Sequence, residues 1–161
     1  MTTTTKTQIW KIDPAHTSAT IAARHLMLTT VRASLSGVTG ELEFDPERPE
    51  QGSIRLAIPA ATVNTGDEKR DGHLRSADFL DVEKHPEITF VSTKIRRSDD
   101  RFIVTGDLTI RGTTKPVDIS VEPSGVVQGM NGRVAGFTAT ATVDRTASAW
   151  CGTCRSPVAS W

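Results

Sequence analysis

Apolar and polar residues alternate with a period of two along most of this chain, and Gly, Pro, Asp and Asn gather between the alternating runs. Successive side chains of an extended strand point to opposite faces, so the pattern predicts half-buried β-strands joined by turns. A short opening strand is expected around Ile9 to Asp13. From Thr17 to Leu28 the residues Ala19, Ile21, Ala23, His25 and Met27 share one face. A long strand is expected from Val31 to Phe44. It carries Val31, Ala33 and Leu35, then Val38, Leu42 and Phe44, with Gly37 and Gly40 read as bulges or a sharp bend.

Further along, "GSIRLAIP" alternates Ile54, Leu56 and Ile58 against polar or small neighbours. "EITFVSTKIR" and "RFIVTGDLTIRG" read as a hairpin turning at Ser98-Asp99-Asp100. "TKPVDISVEP" and the run from Val134 to Val143 complete a set of about eight strands. The one helical signal lies between Val63 and Leu80. "TGDE" spells a capping box with Thr65 as N-cap and Glu68 three residues on, and Ser76 opens a second short turn. These elements predict an all-β, mainly antiparallel chain with one helical insertion, coiled into a barrel or a sandwich.

A packed sandwich would place large apolar groups at nearly every inward position. Here aromatic residues are 5% and Tyr is absent. Ala19, Ala22, Ala23, Ala135, Ala139 and Ala141 line two strands with small side chains. Such residues serve either a tapering barrel with close strand contacts, or an interior that holds one small ligand.

Charge narrows the choice of partner. The chain has 161 residues, one domain's worth, and balances 19 basic against 19 acidic side chains. No basic stripe is present to gather nucleic acid. No apolar run reaches the roughly 18 residues that span a bilayer. The Thr-rich start lacks the apolar core of a secretory signal, so a cytoplasmic location is expected, or a secreted or periplasmic one if a leader has been removed. Both cysteines, Cys151 and Cys154, form a single CxxC in a Gly/Ser/Pro-containing tail, too little for a zinc site and outside any strand–helix redox unit.

The densest polar cluster is Arg70-Asp71-Gly-His73. One reading makes His73 a general base oriented by Asp71, with Arg70 stabilising an oxyanion. Residues two apart on a helix diverge, and no activated nucleophile lies nearby, which disfavours a hydrolase. The other readings are a polar helix end tied to strand carbonyls and Asp78, or hydrogen bonding at the mouth of a ligand site. His16, His25, His73 and His85 show no HxH or HxxxH spacing, so no local metal site is expected.

Three segments carry a resemblance: "WKIDPAHTSATIAARHLMLTTVRASLSGVTGELEFD", "NTGDEKRDGHLRSADFLDVEKHPEITF" and "VTGDLTIRGTTKPVDISVE". In order and spelling, across roughly residues 9 to 145, they resemble the YceI family of lipocalin-like isoprenoid-binding proteins. The resemblance implies an eight-stranded antiparallel barrel with a short helical lid, without catalysis or a resident cofactor. Its bore would take a polyprenyl chain or an isoprenoid quinone. It also implies homodimers in at least some members. Carried over by position, the family's His-Ser opening falls on His16-Thr17, its RHLM segment on Arg24 to Met27, and its lid on Arg70, Asp71, His73 and Leu74. The Phe of the next turn is Phe79.

On this reading residues 1–8 are a disordered tail, 9–145 the barrel and 146–161 an atypical tail. The expected ligand-contacting residues are Ile21, Ala23, His25, Leu42, Phe44, Ile58, Arg70, Asp71, His73, Leu74, Phe79, Phe90, Leu108 and Phe137. The alternative is a stress-related binder of another amphiphile, such as a fatty amide. The chain departs from the family at its end. After "VDRT" the family continues with a Phe-Gly turn and a final strand, whereas this sequence reads "ASAWCGTCRSPVASW". Pro157 cannot donate to a ladder. The expectation is a truncated or frame-altered end, with Ala147 to Trp161 supplying no regular strand and the barrel left gapped beside Val134–Val143.

Overall fold

The structure is a computed structural model that describes residues 8–25, 28–45, 48–130 and 132–143, without the side chains of Arg24 and His25. The expectations for Met27, for Cys151 and Cys154, and for Ala147 to Trp161 fall outside these residues. Among the described residues nine strands follow one another: β1 (Gln8–Lys11), β2 (Ala19–His25), β3 (Thr29–Leu35), β4 (Thr39–Phe44), β5 (Ser53–Pro59), β6 (Glu87–Ser98), β7 (Arg101–Ile110), β8 (Thr113–Gly129) and β9 (Gly132–Ala141). The one α-helix among the described residues, α1 (Glu68–Arg75), sits between β5 and β6.

Seven strands form one antiparallel sheet in the order β1-β4-β5-β6-β7-β8-β9, and β2 and β3 pair separately. Among the described residues the sheet curls strongly into a half-barrel that is not fully closed. β6 carries a bulge between Ser92 and Lys94, and β8 another between Pro123 and Gly125. Bulges add local twist, which helps a sheet of this width to curl.

Two expectations need correction. The long strand Val31–Phe44 is two strands in two sheets, so nine strands replace eight. The chain breaks at Ser36-Gly37-Val38, where Gly37 takes φ +72°, a conformation that costs other residues a Cβ clash. The helix is capped by Asp67, whose carboxylate accepts from the amides of Lys69 (3.0 Å) and Arg70 (3.1 Å), and Thr65 is not the cap. Thr65 is held instead by Asp71 and Arg70, which fix the loop before the helix starts. Ser76 does close a turn, accepting from the amides of Phe79 and Asp81 through its carbonyl.

Two buried clusters fill the concave side. One joins Phe90, Ile95 and Val104 with Ile54, Leu56, Phe102 and Val121 around them. The other joins Ala33, Leu35, Ala60, Val63 and Ile88, with Ile21, Leu74 and Leu80 against it. Leu108 touches both clusters. The β2–β3 hairpin and α1 therefore cap the end of the half-barrel where β5 finishes and β6 begins. Ala19 and Ala33 lie where the hairpin meets this cluster, and their small size suits that close contact.

Candidate functional site

Directly opposed residues of paired strands share a face, so the register identifies the concave wall. Trp10 opposes Leu42, Leu42 opposes Ile54, Leu56 opposes Phe90, and Phe90 opposes Leu108. Across the far strands, Val104 opposes Ile119, and Pro123 opposes Phe137. This row is apolar almost throughout. Phe44 and Phe102 meet edge-to-face at 5.1 Å between ring centroids although two strands separate them in the sheet, so the curl brings opposite walls together there.

The residues expected to contact a ligand divide into three groups. Leu42, Phe44, Ile58, Phe90 and Leu108 lie on the concave wall, with Phe90 buried. Ile21 and Leu74 pack on the capping cluster, and Ala23 is half-buried on β2. Phe137 also lies on the wall but is 40% exposed on β9. For His25 only the backbone in β2 is described.

The Arg-Asp-His stretch does not form one cluster. Asp71 is buried, and its Oδ1 accepts from the Thr65 hydroxyl at 2.6 Å and the Thr65 amide at 2.8 Å. The Thr65 hydroxyl bond, helped by the amide and by the Arg75 and Arg70 charges, holds its pKa below the ordinary aspartate value. Arg70 donates through Nε to the Thr65 hydroxyl at 2.8 Å and through a terminal nitrogen to the Thr65 carbonyl at 3.2 Å. His73 points elsewhere. It is exposed, with Nε2 3.4 Å from the Asp78 carboxylate and its ring edge-on to Phe79 at 4.8 Å. Asp71 therefore does not orient His73, and the carboxylate beside His73 is that of exposed Asp78.

Two arginines that the sequence did not single out anchor this lid. Arg75 donates to the carbonyls of Ala61 (2.9 Å) and Val63 (2.8 Å). Arg111, in the turn between β7 and β8, donates to the carbonyls of Phe79 (3.1 Å) and Asp78 (3.4 Å). Backbone carbonyls carry no sequence signature, and these contacts span 12 to 33 positions. At the other end of the half-barrel, Arg133 of β9 reaches β1. It donates to the Gln8 side-chain oxygen at 3.3 Å and lies 5.8 Å from the centre of the Trp10 ring.

Other chemistry is sparse. No group of His, Cys, Asp and Glu suited to a metal occurs among the described residues, and no described helix is long and apolar enough to cross a membrane. An open groove lies on the convex side, walled by the ion pairs Arg96–Asp118 and Arg101–Glu122, both at 3.7 Å.

The YceI-like domain profile matches residues 10–149. The chain belongs to the YceI-like family. Protein YceI of Escherichia coli O157:H7 is 36% identical over 135 residues, which is 81% of this chain and 70% of that protein. A UPF0312 protein of Photorhabdus laumondii is 36% identical over 118 residues, 72% of this chain and 62% of its own length. This chain thus spans less than two thirds of the Photorhabdus relative.

Among solved structures, Burkholderia cenocepacia BcnA superposes with a TM-score of 0.72 at 27% identity, covering 88% of this chain and 86% of BcnA. A Campylobacter jejuni YceI protein gives 0.66 at 29% identity, with 84% and 80% covered. The resemblance read from the sequence is thereby shown, as is the all-β barrel-type fold.

Proposed function

We propose that this protein is a non-enzymatic carrier of an isoprenoid-type lipid, a polyprenyl chain or an isoprenoid quinone, held along the concave wall of the half-barrel. The observation that carries the reading is the largely apolar wall from Leu42 and Phe44 through Phe90 and Leu108 to Phe137, in a chain of the YceI-like family. A long hydrocarbon chain gains roughly 25 cal/mol per Å² of apolar surface removed from water, so it binds well with few polar contacts. The two walls already touch at Phe44 and Phe102, so entry of a chain requires these rings to part or the chain to lie beside them along the open seam.

A non-enzymatic role is supported by the separation of Asp71 from His73. Arg70, Asp71 and Arg75 act on this reading as the frame of the lid, Leu74 as its inner contact with the capping cluster, and His73 and Phe79 as its outer contacts. Native mass spectrometry after gentle purification tests the proposal. A mass increment matching an isoprenoid lipid, or uptake of a quinone or polyprenyl phosphate by the stripped protein, is expected. Neither co-purified lipid nor uptake would refute it, and uptake of a fatty amide in preference to both would assign the wall to another amphiphile.

A further inference from the structure

The concave wall is uneven in charge. Six acidic residues occur in the seven strands of the curled sheet: Glu41, Glu43, Glu87, Asp107, Asp118 and Glu122. By register all six lie on the convex face. Glu41 opposes Arg55, Glu43 opposes Ser53, Glu87 opposes Pro59, Asp107 opposes Val91, Asp118 opposes Thr105 and Glu122 opposes Thr138. Among the described strand residues, the charged ones on the concave face are all basic. Arg97 opposes Phe102, Lys115 opposes Leu108, and Arg133 lies two and four positions before Ala135 and Phe137 on the same side of β9.

Arg133 is the one that stands at the seam. Its contacts are a neutral amide oxygen of Gln8 at 3.3 Å and the face of Trp10 at 5.8 Å, both on the opposite edge strand β1. Among the described residues no carboxylate lies within ion-pair distance of it. The acids of the lid are at the far end of the half-barrel, and Asp71 there is already engaged by Thr65. An arginine held by an indole face and an amide keeps much of its hydrogen-bonding capacity for a planar or tetrahedral anion. Half-exposed Phe137 and Val126 lie beside it on the same face.

We infer that Arg133, seated on Trp10 and Gln8, is a head-group site that selects an anionic amphiphile, phosphate or carboxylate, over a neutral one whose tail lies on the same wall. The inference rests on the lipid-carrier reading and sharpens it, since a free quinone offers no anion to this arginine. Electrostatics of the wall favour it independently of tail chemistry, because every charged residue that the described strands place on the concave face is basic.

The test compares probes that differ only in the head group. Geranylgeranyl phosphate and geranylgeraniol are titrated into the wild-type protein and the Arg133→Gln variant, with binding read by native mass spectrometry and calorimetry. The wild type is expected to prefer the phosphate by about tenfold or more, as a charge-assisted contact provides, and to lose that preference as salt rises. Arg133→Gln should bring the two affinities together while the alcohol binds as before, and Arg133→Lys should restore part of the preference.

Equal affinities in the wild type overturn the inference. So does an equal weakening of both ligands by Arg133→Gln, which would make the residue a structural strap between β1 and β9. Displacement of the lipid by inorganic phosphate at comparable concentration would reveal a bare anion site and also overturn it. Dodecyl phosphate and dodecanol separate the two proposals. If these linear probes show the Arg133-dependent preference while neither isoprenoid binds, the head-group site stands and the isoprenoid reading falls.

Discussion

Asp71 Oδ1 receives two hydrogen bonds from a single residue, the hydroxyl and the amide of Thr65 at 2.6 and 2.8 Å. That pair ties the first half of α1 to the loop that leaves β5. It turns the acid away from His73 and into the protein. Replacing Asp71 with Ala strands the Thr65 amide and removes the acceptor that holds the Thr65 hydroxyl, which Arg70 also engages. A thermal midpoint several degrees below wild type is expected at neutral pH.

The same pair has an acid signature. The folded-state pKa of Asp71 is depressed, so its contribution is complete above the unfolded-state value, roughly 3.9, and fades as pH falls through the lower folded value. The gap in melting temperature between wild type and Asp71→Ala should therefore be constant from pH 7 to about 5 and narrow below about pH 4. A gap independent of pH down to 2 would contradict the depressed pKa.

Gly106 makes room for Phe90. A Cβ at Gly106 would overlap the Phe90 ring and stand 2.5 Å from the carbonyl oxygen of Val91. Gly106→Ala is expected to destabilise by about 1–3 kcal/mol through overpacking. Because the clash is with Phe90, shortening that ring should relieve it. Phe90→Leu combined with Gly106→Ala should cost less than the sum of the two single changes, measured by urea denaturation. Strict additivity would mean that the backbone at Val91, and not the ring, sets the penalty.

The parts of this protein that were legible in its sequence are those governed by local periodicity. β5 through β7 follow the alternating runs almost residue for residue, because side-chain period and strand geometry are the same constraint. The break before β4 was not legible. A glycine in an alternating run suits a bulge and a bend between two strands equally, and only the pairing of β3 with β2 and of β4 with β1 and β5 decides between them. Thr65 and Asp67 are both competent caps two positions apart, and the outcome was decided by Asp71 claiming Thr65. The lid residues were found through resemblance, but Arg75 and Arg111 bond to carbonyls that any residue supplies. The Arg133–Gln8 contact joins positions 125 apart, which no local pattern encodes.

His73 is a test of lid against catalyst. Its ion pair with Asp78 is exposed on both sides, and such pairs contribute about 0–1 kcal/mol. His73→Ala should leave the fold and its melting temperature nearly unchanged, yet loosen the edge contact with Phe79. A faster release of a fluorescent prenyl probe in stopped-flow measurements is expected. Arg75→Ala should act more strongly, lowering stability by about 1 kcal/mol or more because two carbonyls lose their donor. If His73→Ala abolishes turnover of an ester or amide substrate in a protein that otherwise folds and binds normally, the carrier reading is wrong.

The β8–β9 hairpin presents different chemistry on its two faces, and substitutions can separate them. Val127 and Val134 oppose each other on the convex face and are 65% and 56% exposed, while Phe137 lies on the concave face at 40%. Among the described residues β9 has no strand beyond it, so its outer backbone groups form an open edge next to exposed apolar side chains. Such an edge invites pairing with another chain, and an inserted lysine opposes it through charge and hydration. Val134→Lys is therefore expected to reduce concentration-dependent aggregation, followed by light scattering. Stability should stay within about 0.5 kcal/mol of wild type, because the side chain packs against little. Lipid affinity should be unchanged, since Val134 faces away from the wall. Phe137→Ser should do the reverse, leaving aggregation and melting nearly as they were while weakening prenyl-chain binding about tenfold, or ~1.4 kcal/mol. If Val134→Lys weakens lipid binding as much as Phe137→Ser does, the ligand lies over the convex face of the hairpin, and the concave wall loses its claim to the site.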